Sequence, residues 1–191
     1  MSKIRLTPNA SGTGTVTITA PNTNTDRTFS LPDETGTVLT TVSSVATKVP
    51  LFMTEISASD VQQVTANTWT KVIFDTEEVD THSLYDTSNG RFTPQTAGYY
   101  QMNAQIQPAS AYATQAIAIY KNGVSERMGS YNLNQDMGSA HVNAIVYANG
   151  SSDYFELYWR TGSTQFINGS DSSGGVNQGF TYFQGYLIRT A

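Results

Sequence analysis

The chain has 191 residues, is hydrophobic at 38%, charged at only 13% and aromatic at 11%, and carries a net charge of -5. It has no Cys, which excludes disulfides, thiolate chemistry and Cys-ligated metals. The acidic balance excludes a nucleic-acid partner, whose phosphates demand a basic footprint, and no apolar run approaches the ~18 residues of a membrane span, so no membrane insertion is expected.

Residues 1–41 read as an extended N-terminal β arm. Hydroxyl and apolar residues alternate in Thr15-Val16-Thr17-Ile18-Thr19, placing Val16 and Ile18 on one face. A turn at Pro21-Asn22-Thr23-Asn24 leads to a second alternation with Phe29 and Leu31. Pro32-Asp33-Glu34-Thr35-Gly36 turns again into Thr37-Val38-Leu39. So few apolar side chains do not offset the ordering entropy of the strands, so the arm is expected to anchor on its own oligomer or on a larger assembly. Met1-Ser2-Lys3 carries no apolar signal segment, an expectation against secretion.

Residues 42–49 form a polar connector, and residues 50–191 read as one β domain. Trp69-Thr70-Lys71-Val72-Ile73-Phe74 is a predicted strand. Tyr100, Met102, Ala104 and Ile106 alternate with Gln101, Asn103, Gln105 and Gln107, the pattern of a half-buried strand. Residues 116–120 run into Asn122-Gly123, a two-residue hairpin signal. Residues 140–147 and 153–159 are two strands joined by a loop of hairpin size, 148–152. The last strand, 180–188, has Phe180, Tyr182, Tyr186 and Ile188 on one face and Phe183 and Leu187 on the other. Apolar residues on both faces call for burial on both faces, one in the core and one against another sheet or subunit. The pattern predicts an all-β antiparallel sandwich that oligomerises.

Catalytic constellations are scarce. His82 and His141 stand in no metal-ligand spacing. Asp153 and Glu156 point to opposite faces of their strand, which rules out an acid–base pair. The run Asp75-Thr76-Glu77-Glu78-Val79-Asp80 offers oxygen ligands for a structural Ca²⁺ but lacks the glycine and spacing of an ordered calcium loop. Tyr154, Tyr158, Trp159, Tyr182 and Tyr186 suit sugar stacking or, more simply, packing. Loops around Tyr112, Tyr131, Asn132 and Asn134 are the candidate ligand contacts, because loops carry binding more often than strands. No enzyme is expected, and no cofactor beyond that calcium.

Several spaced motifs resemble the globular head domain of the complement C1q-like family. They are Trp69-Thr70-Lys71-Val72-Ile73-Phe74-Asp75, the YD-x-x-x-G-x-F-x-P turn from Tyr85 to Pro94, Ala97-Gly98-Tyr99-Tyr100, Tyr120-Lys121-Asn122-Gly123, Asp153-Tyr154-Phe155-Glu156-Leu157 and the terminal Thr181 to Ile188. The resemblance covers residues 50–191. It implies a ten-stranded jelly roll of the C1q/tumour-necrosis-factor type and a homotrimer, whose interface would take up the second apolar face of the last strand. No collagen repeat precedes the domain, unlike the animal secreted architecture. In the arm, Gly12 to Ile18, Pro21 to Thr28 and Leu31 to Thr40 resemble a segment of bacteriophage fibre and other virion proteins. Together these imply a non-enzymatic phage virion protein, a homotrimeric surface decoration or short fibre that docks on other capsid or tail proteins. The alternatives are a receptor-binding tail-fibre tip for host surface glycans and a free lectin-like protein of bacterial or prophage origin.

Overall fold

The computed structural model describes residues 49–57, 62–109, 114–132 (131 and 132 by their backbone), 138–169 and 181–191, with positions 7, 10–15, 17, 19, 22–26 and 28 nearer the N-terminus. It divides into two units, Met1–Thr40 and Thr41–Ala191. The described positions of the first unit are exposed, and the Thr25 amide donates to Thr23 Oγ1 at 3.1 Å. The arm residues Val16, Ile18, Phe29, Leu31, Val38 and Leu39 lie outside the described residues, as do Phe180, Tyr112 and Asn134.

The described residues of the second unit form strands β1 (Leu51–Glu55), β2 (Gln63–Val64), β3 (Thr70–Lys71), β4 (Thr76–Asp80), β5 (Tyr85–Asp86), β6 (Arg91–Phe92), β7 (Gly98–Pro108), β8 (Gln115–Lys121), β9 (Val124–Asn132), β10 (Ala140–Ala148), β11 (Phe155–Thr161), β12 (Gln165–Asn168) and β13 (Tyr182–Thr190). The larger sheet runs β2-β12-β7-β13-β1-β4, with β10 also on β7. The smaller runs β5-β6-β11-β8-β9, with β3 also on β11. Neighbours pair antiparallel, and the chain passes repeatedly between the sheets in the manner of a jelly roll.

Between the sheets lies an aromatic core. Phe52 stacks on Phe92 with centroids 4.1 Å apart and meets Phe183 edge-on at 5.0 Å. Tyr100, Met102, Ile106, Ile117, Ile119, Phe155, Leu157 and Trp159 complete it, each fully buried. The inward residues of β7 are the even-numbered ones, so its outward row is Tyr99 followed by four amides. The indole Nε1 of Trp159 donates to Gln115 Oε1 at 3.3 Å, which satisfies the one polar atom that ring brings inside.

The β8–β9 hairpin turns at Asn122 (φ 53°) and Gly123 (φ 80°), the left-handed pair a two-residue turn needs to match strand twist. Three sequence expectations change. Residues 140–147 and 153–159 do not pair as a hairpin. β10 lies on β7 in one sheet and β11 on β8 in the other, so loop 149–154 crosses between layers. Asp153 fixes this crossover. It is buried and accepts from Lys121 Nζ (2.8 Å), Asn122 Nδ2 (2.8 Å) and the Asn149 amide (2.9 Å). The strand expected over 69–74 shrinks to Thr70–Lys71, because its ladder with β11 covers those two positions and ends with the Val72 amide donating to the Leu157 carbonyl (2.8 Å) as the chain dips inward with Val72 and Phe74. Tyr131 and Asn132, expected in a loop, close β9 opposite Ala116 and Gln115, since backbone pairing overrides their polar, turn-like neighbourhood.

Candidate functional site

The outer face of the larger sheet is where the sequence-predicted residues of β13 converge. Alternation turns Phe183 and Leu187 toward the core and Tyr186 and Ile188 outward, with Tyr182 half-buried on the outward side. Directly paired residues share a face. Tyr186 therefore sits beside Leu51 on one neighbour and Gln101 on the other, and Gln101 in turn beside Ile145. Tyr99 pairs with Tyr147, their rings tilted at 5.5 Å. Leu51, Tyr99, Ile145, Tyr147, Tyr186 and Ile188 thus make one exposed apolar end of the face. Of the ten exposed large apolar side chains among the described residues, eight belong to this sheet, which makes a patch rather than a scatter.

Beyond that end the face turns to amides. Asn103 pairs with Asn143 on one side and Gln184 on the other, and Gln101 Nε2 donates to Asn143 Oδ1 and, at 3.3 Å, to Asn103 Oδ1. Next comes Glu55, opposite Tyr182 and Thr76. Its carboxyl is raised above the ordinary range, first by burial and then by Glu78 and Asp75. An apolar end and a neutral amide middle with few charged side chains are the composition of a surface suited to burial in an assembly.

The remaining candidates are tied down by local structure. Asp80 accepts from the amides of Leu84 (2.6 Å), Tyr85 (2.7 Å) and His82 (3.1 Å), and Asp75 from Ser57 N and Oγ at 2.8 and 3.0 Å. These carboxylates close turns, and among the described residues no three His, Cys, Asp or Glu gather where a metal ion would sit. Asp86 closes the turn of the YD motif. Hydrogen bonds, the first from the Ser88 hydroxyl, hold its carboxyl below the ordinary range. His141 is exposed and its amide donates to Ser130 Oγ, while His82 Nδ1 lies 2.8 Å from Thr81 Oγ1. Asp153 and Glu156 serve separate ion pairs, Asp153 with Lys121 and Glu156 with Lys71 and Arg91. Sequence reasoning missed Arg91 and Lys71 as partners of Glu156, since they come from strands 65 and 85 residues away.

A family model of the C1q domain matches residues 53–188. This chain belongs to the C1q domain family. The globular domain of zebrafish complement 1qA protein superposes on this C1q domain with a TM-score of 0.52 at 14% identity, covering 74% of this chain and 99% of that one. Eiger TNF from S. frugiperda gives 0.51 at 7%, covering 75% and 94%. At these identities the likeness is one of fold, an antiparallel jelly roll of the C1q/TNF type. The PRD1 vertex protein P5 is more distant, with a TM-score of 0.39 at 12% identity over 75% of this chain and 98% of that one. No curated protein matches the chain.

Proposed function

We propose that the chain is a non-enzymatic bacteriophage virion protein: three C1q heads joined through the larger sheets, held to capsid or tail proteins by residues 1–41, and displayed on the virion surface. The observation that carries the assembly is the apolar end of the outer face around Tyr186, Ile145 and Tyr147, which a monomer would leave in water. Trimer as the closed form follows the family resemblance. The virion reading rests on the arm, whose Gly12 to Ile18 and Leu31 to Thr40 segments resemble phage fibre proteins and have too few apolar residues to fold unaided.

Quantitative mass spectrometry of purified particles tests the reading. Copies comparable to the major capsid protein mean a decoration, and a small fraction of that number means a tail or vertex fibre. Absence from particles overturns the virion reading in favour of the free lectin-like alternative. Deleting residues 1–41 is expected to leave a folded, trimeric head that no longer joins particles. Truncated heads that still incorporate refute the arm as anchor.

A further inference from the structure

The outer face of the smaller sheet is built differently from that of the larger. On β8 the outward positions are Ala116, Ala118 and Tyr120, and on β11 they are Glu156, Tyr158 and Arg160. The small Ala118 lets two rings fold over it. Tyr120 and Tyr158 stack with centroids 3.9 Å apart, and Trp69 closes on Tyr120 at 6.1 Å. All three residues remain partly exposed, although Tyr120 and Tyr158 each cover one face of the other, so they form an aromatic shelf that is open to solvent only in part. At one end Glu156, itself buried, draws in Lys71 (3.2 Å) and Arg91 (2.9 Å), and the Arg91 guanidinium lies 3.8 Å above the Tyr154 ring.

The other end is a polar cavity of about 160 Å³ whose walls include Asn67, Gln115, Thr161 and Arg160. Arg160 and Ala116, paired across the strands, line the cavity, and the next pair along the same face is Tyr158 with Ala118, so cavity and shelf are neighbours. Lys71 and Arg91 share Glu156, but Arg160 pairs with no carboxylate among the described residues. Neutral oxygens hold it instead, with Nε donating to the Asn67 carbonyl (3.2 Å) and Nη2 to Asn67 Oδ1 (3.4 Å). Two of the five guanidinium donors are thereby used, and among the described residues the other three meet no acceptor. In a chain of net charge -5, the outward charges of β3, β5, β6, β8 and β11 are three cations to two carboxylates, Glu156 and Asp86.

The geometry points to this shelf and cavity as a binding site for an acidic saccharide, with a pyranose ring stacked on Tyr158 and Trp69 and its carboxylate on Arg160. Apolar ring faces suit the C–H face of a sugar, and a prepositioned guanidinium suits a carboxylate bidentately. Residues at i and i+2 of a strand stand about 7 Å apart, the span of one sugar ring and its substituent. Neutral sugars lack the second contact, and a small inorganic anion lacks the first. That the shelf faces outward rests on the larger sheet being the covered one, whereas the site itself belongs to a single chain.

The test is titration of the full chain with sialyllactose, a glucuronate-containing disaccharide and neutral lactose, read by tryptophan fluorescence and calorimetry. Trp159 is buried but bonded to Gln115 of the cavity wall, so loss of the fluorescence change in Trp69→Phe is what assigns it to the shelf. Either acid is expected to bind about tenfold more tightly than lactose, and the stronger of the two names its source. Arg160→Gln should erase that preference, and Tyr158→Ala should weaken all three sugars about tenfold. Raising the salt should weaken the acids and leave lactose unchanged, a readout that needs no variant. Equal affinity for lactose and the acids, an Arg160→Gln variant with undiminished acid preference, or no response to any of the three at millimolar concentration overturns the site. Light scattering on the same sample separates the two readings. A monomer that binds the acids refutes the trimer alone, and a trimer that binds none refutes the shelf alone.

Discussion

Two neighbouring side chains of β13 should report different things, Phe183 the stability of the head and Tyr186 its assembly. Phe183 is 0% exposed and packs against Phe52, Phe74 and Tyr85 at centroid distances of 5.0, 5.9 and 6.4 Å. Phe183→Ala removes that packing and leaves a cavity, costing about 4 kcal/mol. At an unfolding entropy of about 2.1 cal/mol/K per residue, the roughly 140 residues of the head lose about 0.3 kcal/mol per kelvin, so Tm falls by about 13 °C. Tyr186 is 45% exposed in the single chain. Tyr186→Asp therefore changes the stability of an isolated head by no more than about 0.5 kcal/mol, but inside a trimer it would bury an unpaired carboxylate at a cost of several kcal/mol. Sedimentation should show Phe183→Ala as a trimer of low Tm and Tyr186→Asp as a monomer. Ile145→Asp, on the same outward row, supplies the monomeric reference, and the two Asp variants should melt together. If Tyr186→Asp keeps the trimer mass, or melts as far below Ile145→Asp as Phe183→Ala does below the wild type, the division of the strand into an inner and an assembly face is wrong.

Glu156→Gln keeps the shape of the residue but leaves Lys71 and Arg91 without their shared anion. Both cations are partly solvated, so the loss should be about 2 kcal/mol, below that of a fully buried pair, measured by urea midpoint. Burial would raise the Asp153 carboxyl, yet bonds from Lys121, Asn122 and the Asn149 amide outweigh it and hold the group below the ordinary range. A depressed carboxyl stabilises the fold above its unfolded pKa, about 3.9, and loses that contribution as pH falls through the folded value, so Tm should drop below about pH 4. Asp153→Asn should flatten that acid limb. Glu55 acts with the opposite sign: its raised carboxyl loses stability as pH rises through the folded value, so Glu55→Gln should raise Tm at neutral pH relative to the wild type. Gly129→Ala would place a methyl 2.1 Å from the His141 carbonyl where β9 meets β10, and should cost more than about 2 kcal/mol by calorimetry.

What was legible in the sequence is what local chemistry decides. Alternation in residues 100–107 gave the inward and outward rows of β7, and Asn122-Gly123 gave the β8–β9 turn, because each is set by a pleat or a φ value within a few residues. The passage from β10 to β11 was not legible: five or six polar residues join either two partners in one sheet or two strands in opposite sheets, and the choice is made by Asp153 gripping Lys121 and Asn122 from another hairpin. Arg160 carried no signal at all. A lone arginine at a strand end acquires its meaning from Asn67, 93 residues earlier, and from the alanine opposite it. Register across a sheet is a non-local quantity, and the aromatic shelf is a product of register.

The two outer faces of the sandwich divide the surface chemistry between them. The larger sheet presents Tyr186, Ile145, Tyr147 and Leu51 beside a row of amides, and so exposes apolar area with few charges to hold water. The smaller sheet presents half-covered rings laced to cations, each ring with a charged or aromatic neighbour. Burying the first face in an assembly removes apolar area from water, with charges such as Arg189 beside Tyr99 and Glu78 beside Glu55 confined to its margins. Burying the second would desolvate Lys71, Arg91 and Arg160 with two carboxylates, Glu156 and Asp86, among them, an unfavourable exchange for the unpaired Arg160 unless the partner brings an anion. The same imbalance that disqualifies the smaller sheet as a contact between identical acidic chains is what suits it to an anionic ligand.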